Sequence, residues 1–139
     1  MSSSFVLDCS VAAAFFLEDE KNFYNIAALE RCLRQEIVWA TPLLAFELSN
    51  TLLQASKRGR FTLDRITPCV EALFEMNILV QQYTLDLTAK TIALAAKYTL
   101  TSYDASYLAL AKQYNAPLAT EDKMLKAAAQ QEQLYWTPA

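Results

Sequence analysis

The sequence predicts an α/β fold with a central parallel sheet of four to five short strands flanked by helices. Short, continuously apolar segments alternate with longer amphipathic ones along the chain, which is typical of strands that are buried on both faces and joined by helices. Hydrophobic residues make up 54% of the 139 residues and charged residues 19%. Because this is enough apolar material for one hydrophobic core, we expect a single domain over residues 1–139.

Each element is predicted from its local pattern. The strands are the short apolar runs Phe5–Leu7, Ile37–Ala40, Ile78–Val80 and Leu118–Thr120, with Leu134–Trp136 as a candidate edge strand. The helices follow apolar residues at helical spacing and cover Val11–Leu17, Asn22–Gln35, Pro42–Arg58, Thr62–Met76, Leu85–Tyr98, Ser102–Tyr114 and Lys123–Gln131.

Four residues mark where two of the helices begin, end or bend. Thr41 offers a capping hydroxyl and Pro42 suits the first helical position. Gly59 stands where a left-handed residue closes a helix. Pro68 lies inside the predicted helix Thr62–Met76 and is expected to kink or split it.

Two scarcities in the composition exclude whole classes of site. Gly59 is the only glycine, and the chain has no histidine. A phosphate-binding loop needs several glycines where the backbone approaches the phosphates. Without histidine there is no Ser-His-Asp or Cys-His pair and no imidazole acid–base chemistry. Catalysis therefore depends on carboxylates, hydroxyls, Lys, Tyr or Cys.

The cysteines and the lack of long apolar runs favour a cytoplasmic protein. The chain has 3 Cys, at Cys9, Cys32 and Cys69, an odd number without the spacing of a zinc site or a disulfide framework. We therefore expect reduced thiols. The first residues lack the pattern of a signal peptide, and no apolar run approaches the roughly 18 residues of a membrane span. We expect no association with a membrane.

Four acidic residues lie where ordinary surface roles do not explain them, unlike the charge run Glu18–Glu20, which we expect to be solvated. Asp8 ends the first strand and Asp122 follows the fourth, and ligands of α/β proteins bind at the carboxyl edge of the strands. Glu47 and Asp104 lie on the apolar stripes of their helices, so their carboxylates turn inward. Carboxylates that converge to about 4 Å repel by roughly 4 kcal/mol per pair at an effective dielectric constant near 20.

A divalent cation is the simplest way to neutralise these carboxylates. Mg²⁺ and Mn²⁺ prefer oxygen ligands, keep several waters and need only a few carboxylates. We predict that the metal-binding and catalytic residues are Asp8, Glu47, Asp104 and Asp122. Nearby short polar residues are candidates for orienting a carboxylate or a water, namely Ser10, Asn50 and Thr120.

Each acid taken singly also has a structural interpretation. Asp122 stands at a typical helix N-cap position, and Asp104 can cap its helix or occupy the first turn. Glu47 can pair with a Lys or Arg across the core, and Asp8 can be a strand-end turn residue. The short polar residues can likewise act as local caps. One shared site explains all four acids together more simply.

Four segments of the sequence, in this order and spacing, carry a family resemblance. They are Phe5-Val-Leu-Asp8-Cys-Ser10, Pro42 followed by Glu47-Leu-Ser-Asn50, Leu100-Thr-Ser-Tyr-Asp104-Ala-Ser-Tyr107-Leu-Ala-Leu-Ala111, and Leu118-Ala-Thr120-Glu-Asp122-Lys123. Together they resemble the PIN domain, and within it the VapC-like toxins of bacterial type II toxin–antitoxin systems. The resemblance covers nearly the whole chain.

The resemblance implies a single PIN-like α/β domain with a Mg²⁺- or Mn²⁺-dependent ribonuclease site. It also implies a homodimer and inhibition by a small cognate antitoxin protein. The acidic quartet of the family falls on Asp8, Glu47, Asp104 and Asp122, and its accessory hydroxyl on Thr120 or Ser10. Cys9 stands where Ala, Thr or Ser is commoner in the family.

We therefore expect an enzyme that hydrolyses RNA phosphodiesters. Asp8, Asp104 and Asp122 are expected to be direct or water-mediated metal ligands, and Glu47 either a further ligand or the general base that orients the attacking water. A metal-dependent phosphatase of small phosphate esters is an alternative, although its usual Asp-x-Asp is absent from the first strand. A noncatalytic interaction module is a second alternative, in which the acids serve as helix caps.

Positive charge that can receive RNA is scarce in this chain. The formal net charge is −3, which argues against a broad basic face. The Lys57-Arg58-Gly59-Arg60 run, or Lys123, can guide phosphates toward an acidic pocket. The same run can equally stabilise a helix C-terminus against its dipole.

Overall fold

The computed structural model describes residues 3–138 and contains a sheet of four parallel strands in the order β3-β2-β1-β4. The strands are β1 (Ser4–Leu7), β2 (Ile37–Ala40), β3 (Ile78–Val80) and β4 (Leu118–Ala119). The helices are α1 (Cys9–Ala14), α2 (Phe23–Leu33), α3 (Leu44–Lys57), α4 (Ile66–Phe74), α5 (Leu85–Tyr98), α6 (Ser102–Tyr114) and α7 (Lys123–Gln131), with 3₁₀ turns at Glu18–Glu20 and Leu63–Arg65. This architecture confirms the predicted parallel α/β fold.

The strands are apolar throughout because helices cover both faces of the sheet. Phe5 and Leu7 of β1 pack with residues of α1 to α4, whereas Val6 packs with residues of α5, α6 and α7. Successive side chains of a strand point to opposite faces. Each of them therefore meets a hydrophobic core, which explains continuous apolar runs in place of an alternating pattern.

The strand order locates the crevice in which a ligand can bind. Strand β1 pairs with β2 on one side and with β4 on the other, with Leu7 opposite Ala119. The chain leaves β1 toward β2 and later returns from β3 to β4, so the direction of winding reverses between β1 and β4. In open α/β sheets the carboxyl ends of the strands at such a point form the binding crevice.

Helix α3 begins later than the sequence predicts. Its first residue is Leu44, and its N-cap Leu43 makes no side-chain capping bond, so the prediction of Thr41 as the N-cap was wrong. Thr41 follows β2 directly and is part of the turn that redirects the chain, where the Leu44 N–H donates to its carbonyl at 3.2 Å. The C-terminus agrees with the prediction, since Gly59 has a φ of +73°.

Two further differences have simple physical causes. The predicted helix Thr62–Met76 is divided into a 3₁₀ turn and α4, so that Pro68 lies in the first turn of α4, where its missing N–H has no helical partner to lose. The candidate edge strand Leu134–Trp136 forms one isolated bridge, from Tyr135 to Leu118. Because β4 is only 2 residues long, it offers little backbone for a further strand.

Within residues 3–138, none of the helices has the length and apolar character needed to cross a membrane.

Candidate active site

A pocket of about 350 Å³ lies at the carboxyl ends of β1 and β4 and brings together all four acids singled out from the sequence. Its wall also includes small, hydroxyl and aromatic side chains. The lining residues are Asp8, Cys9, Ser10, Ala13, Glu20, Glu47, Asn50, Thr51, Asp104, Tyr107 and Asp122.

Asp8 is the buried carboxylate at the base of the pocket, where it also caps α1. It is 4% exposed, and its Oδ1 accepts from the Ser10 hydroxyl at 2.7 Å and from the Val11 N–H at 3.2 Å. Its Oδ2 accepts from the Thr120 hydroxyl at 2.5 Å. Burial raises the pKa of Asp8 to about 7, outweighing the hydrogen bonds that lower it.

The two hydroxyls on Asp8 also connect it to the loop that follows β4. The Ser10 Oγ accepts from the Glu121 N–H at 2.9 Å, and the Thr120 Oγ1 accepts from the Asp122 N–H at 3.1 Å. Both hydroxyls therefore orient Asp8 while holding this loop beside it. Asn50 lines the pocket, but its side chain makes no hydrogen bond to another residue of the described range 3–138.

Glu47 enters the pocket from α3 and is held by an aromatic residue of α6. The Tyr107 hydroxyl donates a hydrogen bond to Glu47 Oε1. Burial raises the pKa of Glu47, whereas this hydrogen bond lowers it. The pKa of Tyr107 is raised by burial and by the charge of Glu47, so the phenol keeps its proton and remains a donor.

Asp104 and Asp122 complete the set from two helix N-termini. Asp104 is in the first turn of α6, which is capped by Thr101, and its pKa is raised by burial and by the charge of Asp122. Asp122 is exposed and caps α7, because its Oδ1 accepts from the Leu125 N–H at 2.9 Å. The structural interpretation of Asp122 as an N-cap is therefore correct, and the same residue lines the pocket.

The ion pairs within residues 3–138 include none of the four carboxylates. The alternative in which Glu47 pairs with a cation across the core is therefore wrong, because Tyr107 occupies that place. An oxygen-rich, uncompensated donor set of this kind fits Mg²⁺ or Mn²⁺. In the same range no three Asp, Glu or Cys side chains form a group that holds an ion by themselves.

Comparison with known proteins establishes the family. Residues 5–131 match the family model of the PIN domain. The chain belongs to the PIN domain family. It is 31% identical over 123 residues to Ribonuclease VapC3 from Pyrobaculum aerophilum, which covers 86% of this chain and 90% of that relative. The PIN fold also matches the crystal structure of PAE2754 from the same organism with a TM-score of 0.69 at 23% identity, covering 92% of this chain and 86% of that chain.

Five residues that line the pocket of this PIN domain were not predicted as site residues, namely Cys9, Ala13, Glu20, Thr51 and Tyr107. Tyr107 has a detectable signal, because it follows Asp104 by three residues and so shares its helix face. Cys9 shares the end of β1 with Asp8, and burial raises the pKa of its thiol to about 12, so it stays protonated. Glu20 has no local signal: it is exposed, as expected for a solvated run, and the turn Glu18–Glu20 also places it in the pocket wall.

Proposed function

We propose that this PIN domain is a Mg²⁺- or Mn²⁺-dependent endoribonuclease that acts as the toxin of a toxin–antitoxin pair in the cytoplasm. The observation that carries the proposal is one pocket lined by Asp8, Glu47, Asp104 and Asp122, none of which has an ion-pair partner within residues 3–138. The 31% identity to Ribonuclease VapC3 supports RNA as the substrate. The three cysteines are free thiols, as expected in a reducing compartment.

The role of each carboxylate in the proposed reaction follows from its contacts. Asp8, Asp104 and Asp122 bind the metal directly or through water, with Asp8 oriented by the Ser10 and Thr120 hydroxyls. When bound, Mg²⁺ or Mn²⁺ acidifies a water and offsets the negative charge that develops on the phosphate.

Glu47 is the acceptor for the proton of the attacking water. Its Oε1 accepts the hydrogen bond from Tyr107, and its Oε2, which has no hydrogen-bond donor within residues 3–138, is the oxygen that accepts the proton. A raised pKa favours this role, since a general base works best when its pKa lies near the working pH. Tyr107 positions Glu47 from a fully buried site in α6.

The same acidic pocket suits inhibition by a small antitoxin protein. A cationic side chain, such as an arginine, that enters the pocket neutralises the carboxylates and blocks access to the phosphate. A second copy of the chain fits a separate apolar groove of about 350 Å³ lined in part by Leu43, Tyr83, Ile92 and Tyr103. Ile92 is 60% and Tyr103 61% exposed, and apolar surface of this kind is typical of an interface.

Cleavage assays on purified protein test the proposed function. We expect RNA cleavage with Mg²⁺ or Mn²⁺, none in EDTA, and losses of at least about 100-fold in Asp8→Asn and Asp104→Asn. Asp64→Asn is the matched control, because Asp64 is an exposed carboxylate in the 3₁₀ turn before α4 and does not line the pocket. Full activity of both pocket variants, or of the wild type in EDTA, would remove the carboxylates from the reaction.

A further inference from the structure

One arginine, Arg60, forms an ion pair with a residue in the wall of the acidic pocket. Arg60 follows α3, and its guanidinium binds the 3₁₀ turn Glu18–Glu20. Its Nε donates to Asp19 Oδ2 at 3.1 Å, and its Nη2 donates to Asp19 Oδ1 at 2.9 Å and to Glu20 Oε2 at 2.7 Å. Glu20 lines the pocket, and among the ion pairs of residues 3–138 only the one between Arg60 and Glu20 includes a pocket-lining residue.

The guanidinium of Arg60 has hydrogen-bond donors that the turn Glu18–Glu20 does not use. Its hydrogen bonds use Nε and Nη2, and within residues 3–138 the two N–H groups of Nη1 meet no acceptor. The side chain is 33% exposed. The backbone beneath it is fixed, because the Arg60 N–H donates to the Ala55 carbonyl at 2.8 Å. One edge of a well-placed guanidinium is therefore open to a further ligand.

The carboxylates on Arg60 leave room for a phosphate from solvent. The side chains of Asp19 and Glu20 are 64% and 44% exposed, and they bind Nε and Nη2, so a phosphate can approach Nη1 beside them. A guanidinium binds a phosphate with two parallel hydrogen bonds, which makes arginine the preferred cation for this anion. A polyanion that approaches four carboxylates needs such a cation at the entrance.

We propose that Arg60 binds a phosphate of the RNA at the rim of the pocket and so positions the strand over the carboxylates. The inference rests on the proposed ribonuclease function and names the cation that receives the substrate. It also selects one residue of the Lys57–Arg60 run, since within the described range the exposed side chains of Lys57 and Arg58 form no ion pair with a pocket-lining residue.

RNA affinity tests the role of Arg60 without relying on turnover. Binding of a short single-stranded RNA is measured over a range of salt concentrations, with the wild type in EDTA and with Asp8→Asn variants in Mg²⁺. We expect Arg60→Gln to weaken binding about 10-fold and to reduce the slope of log K against log salt by about 0.7, the value for one phosphate on a single strand. Arg58→Gln is the matched control and should change affinity less than about 2-fold. Arg60→Gln binding within 2-fold of the wild type would overturn the proposal.

A second pair of variants separates phosphate binding from a role in holding the turn. If Arg60 only clamps the turn, Asp19→Asn with Glu20→Gln breaks the clamp from the other side and weakens RNA binding as much as Arg60→Gln. If Arg60 binds phosphate, the double variant frees the guanidinium and binds RNA at least as tightly as the wild type. Equal losses in both variants would therefore overturn the proposal. A wild type that neither binds nor cleaves RNA would overturn the proposed function itself.

Discussion

Asp8 is the residue at which stability and chemistry conflict most strongly. Burial raises its pKa from 3.8 to about 7, and burial also raises the pKa of Glu47 and Asp104. The protonated form of each group is therefore favoured by folding. A functional site keeps such groups because a bound cation relieves the cost of their charge.

The first prediction is that the metal-free protein loses stability as the pH rises from about 5 toward 8. A group whose pKa is higher in the folded state contributes its full stability below its unfolded value, 3.8 for Asp8, and loses it as the pH rises through about 7. Thermal unfolding in EDTA at several pH values measures the effect. Asp8→Asn should be more stable than the wild type near pH 8 and should flatten the pH dependence. A wild type that gains stability over this range would contradict the raised pKa.

The second prediction concerns the hydrogen bond from Tyr107 to Glu47. In Tyr107→Phe the pKa of Glu47 rises further, because the bond that lowers it is lost. The base then stays protonated to higher pH, so the acid limb of the pH–rate profile moves to higher pH and kcat falls by about 10-fold. Tyr103→Phe is the control, since Tyr103 is 61% exposed and does not line the acidic pocket. An unshifted acid limb would exclude Glu47 as the base.

The sequence was sufficient to bring the four acids together, because each lies at a strand end or on an inward helix stripe. The sequence was insufficient to predict that Glu20 and Arg60 form an ion pair. Their pairing joins residues 40 positions apart, and the contact depends on how α1 and α3 pack, which local patterns do not contain.

At the scale of elements, one carboxylate joins the three helices that cover one face of the sheet. Glu132, just after α7, accepts from Lys97 of α5 at 3.1 Å and from Lys112 of α6 at 2.8 Å, and also from the Tyr98 hydroxyl. Its side chain is 11% exposed. The hydrogen bond from Lys112 is the largest cause that lowers the pKa of Glu132, to about 2.

The third prediction is that Glu132→Gln lowers the free energy of unfolding by about 1 kcal/mol at pH 7, a modest effect because the lysines are largely exposed. A group with a lowered pKa contributes its stability above the ordinary value, 4.5 for Glu132, and loses it as the pH falls through about 2. The difference between variant and wild type in urea unfolding should therefore shrink below about pH 4. Asp86→Asn, which breaks the exposed Asp86–Lys90 pair, should cost less than about 0.5 kcal/mol. Equal losses in the free energy of unfolding for the two variants would contradict the role of Glu132 in joining the helices.

The predicted element boundaries agree best where the chain carries its own signals. Helices α5, α6 and α7 have the predicted bounds, with capping side chains from Thr84, Thr101 and Asp122. The start of α3 was wrong because the turn after β2 takes precedence over the capping preference of Thr41. The candidate edge strand is reduced to one bridge, because pairing depends on the length of its neighbour, a property of another part of the chain.

At the scale of the whole molecule, the apolar groove beside α5 and α6 bears on assembly. The fourth prediction is that the purified chain sediments as a dimer at about 50 µM and that Ile92→Glu makes it a monomer, because a charge in the groove opposes the burial of apolar surface. Lys90→Glu is the control, because it also changes a charge on α5, at a lysine that forms an ion pair. A wild type that is strictly monomeric would overturn the dimer.

The end groups of the cleaved RNA test the central claim most directly. With no histidine to activate a 2′-hydroxyl, the chain is equipped for attack by water in line with the departing 3′-oxygen. Mapping the termini made by the purified protein should give 5′-phosphate and 3′-hydroxyl ends with Mg²⁺ or Mn²⁺, and no cleavage in EDTA or with Asp8→Asn. Termini with 2′,3′-cyclic phosphate, or cleavage that persists in EDTA, would contradict metal-dependent hydrolysis at the carboxylate pocket.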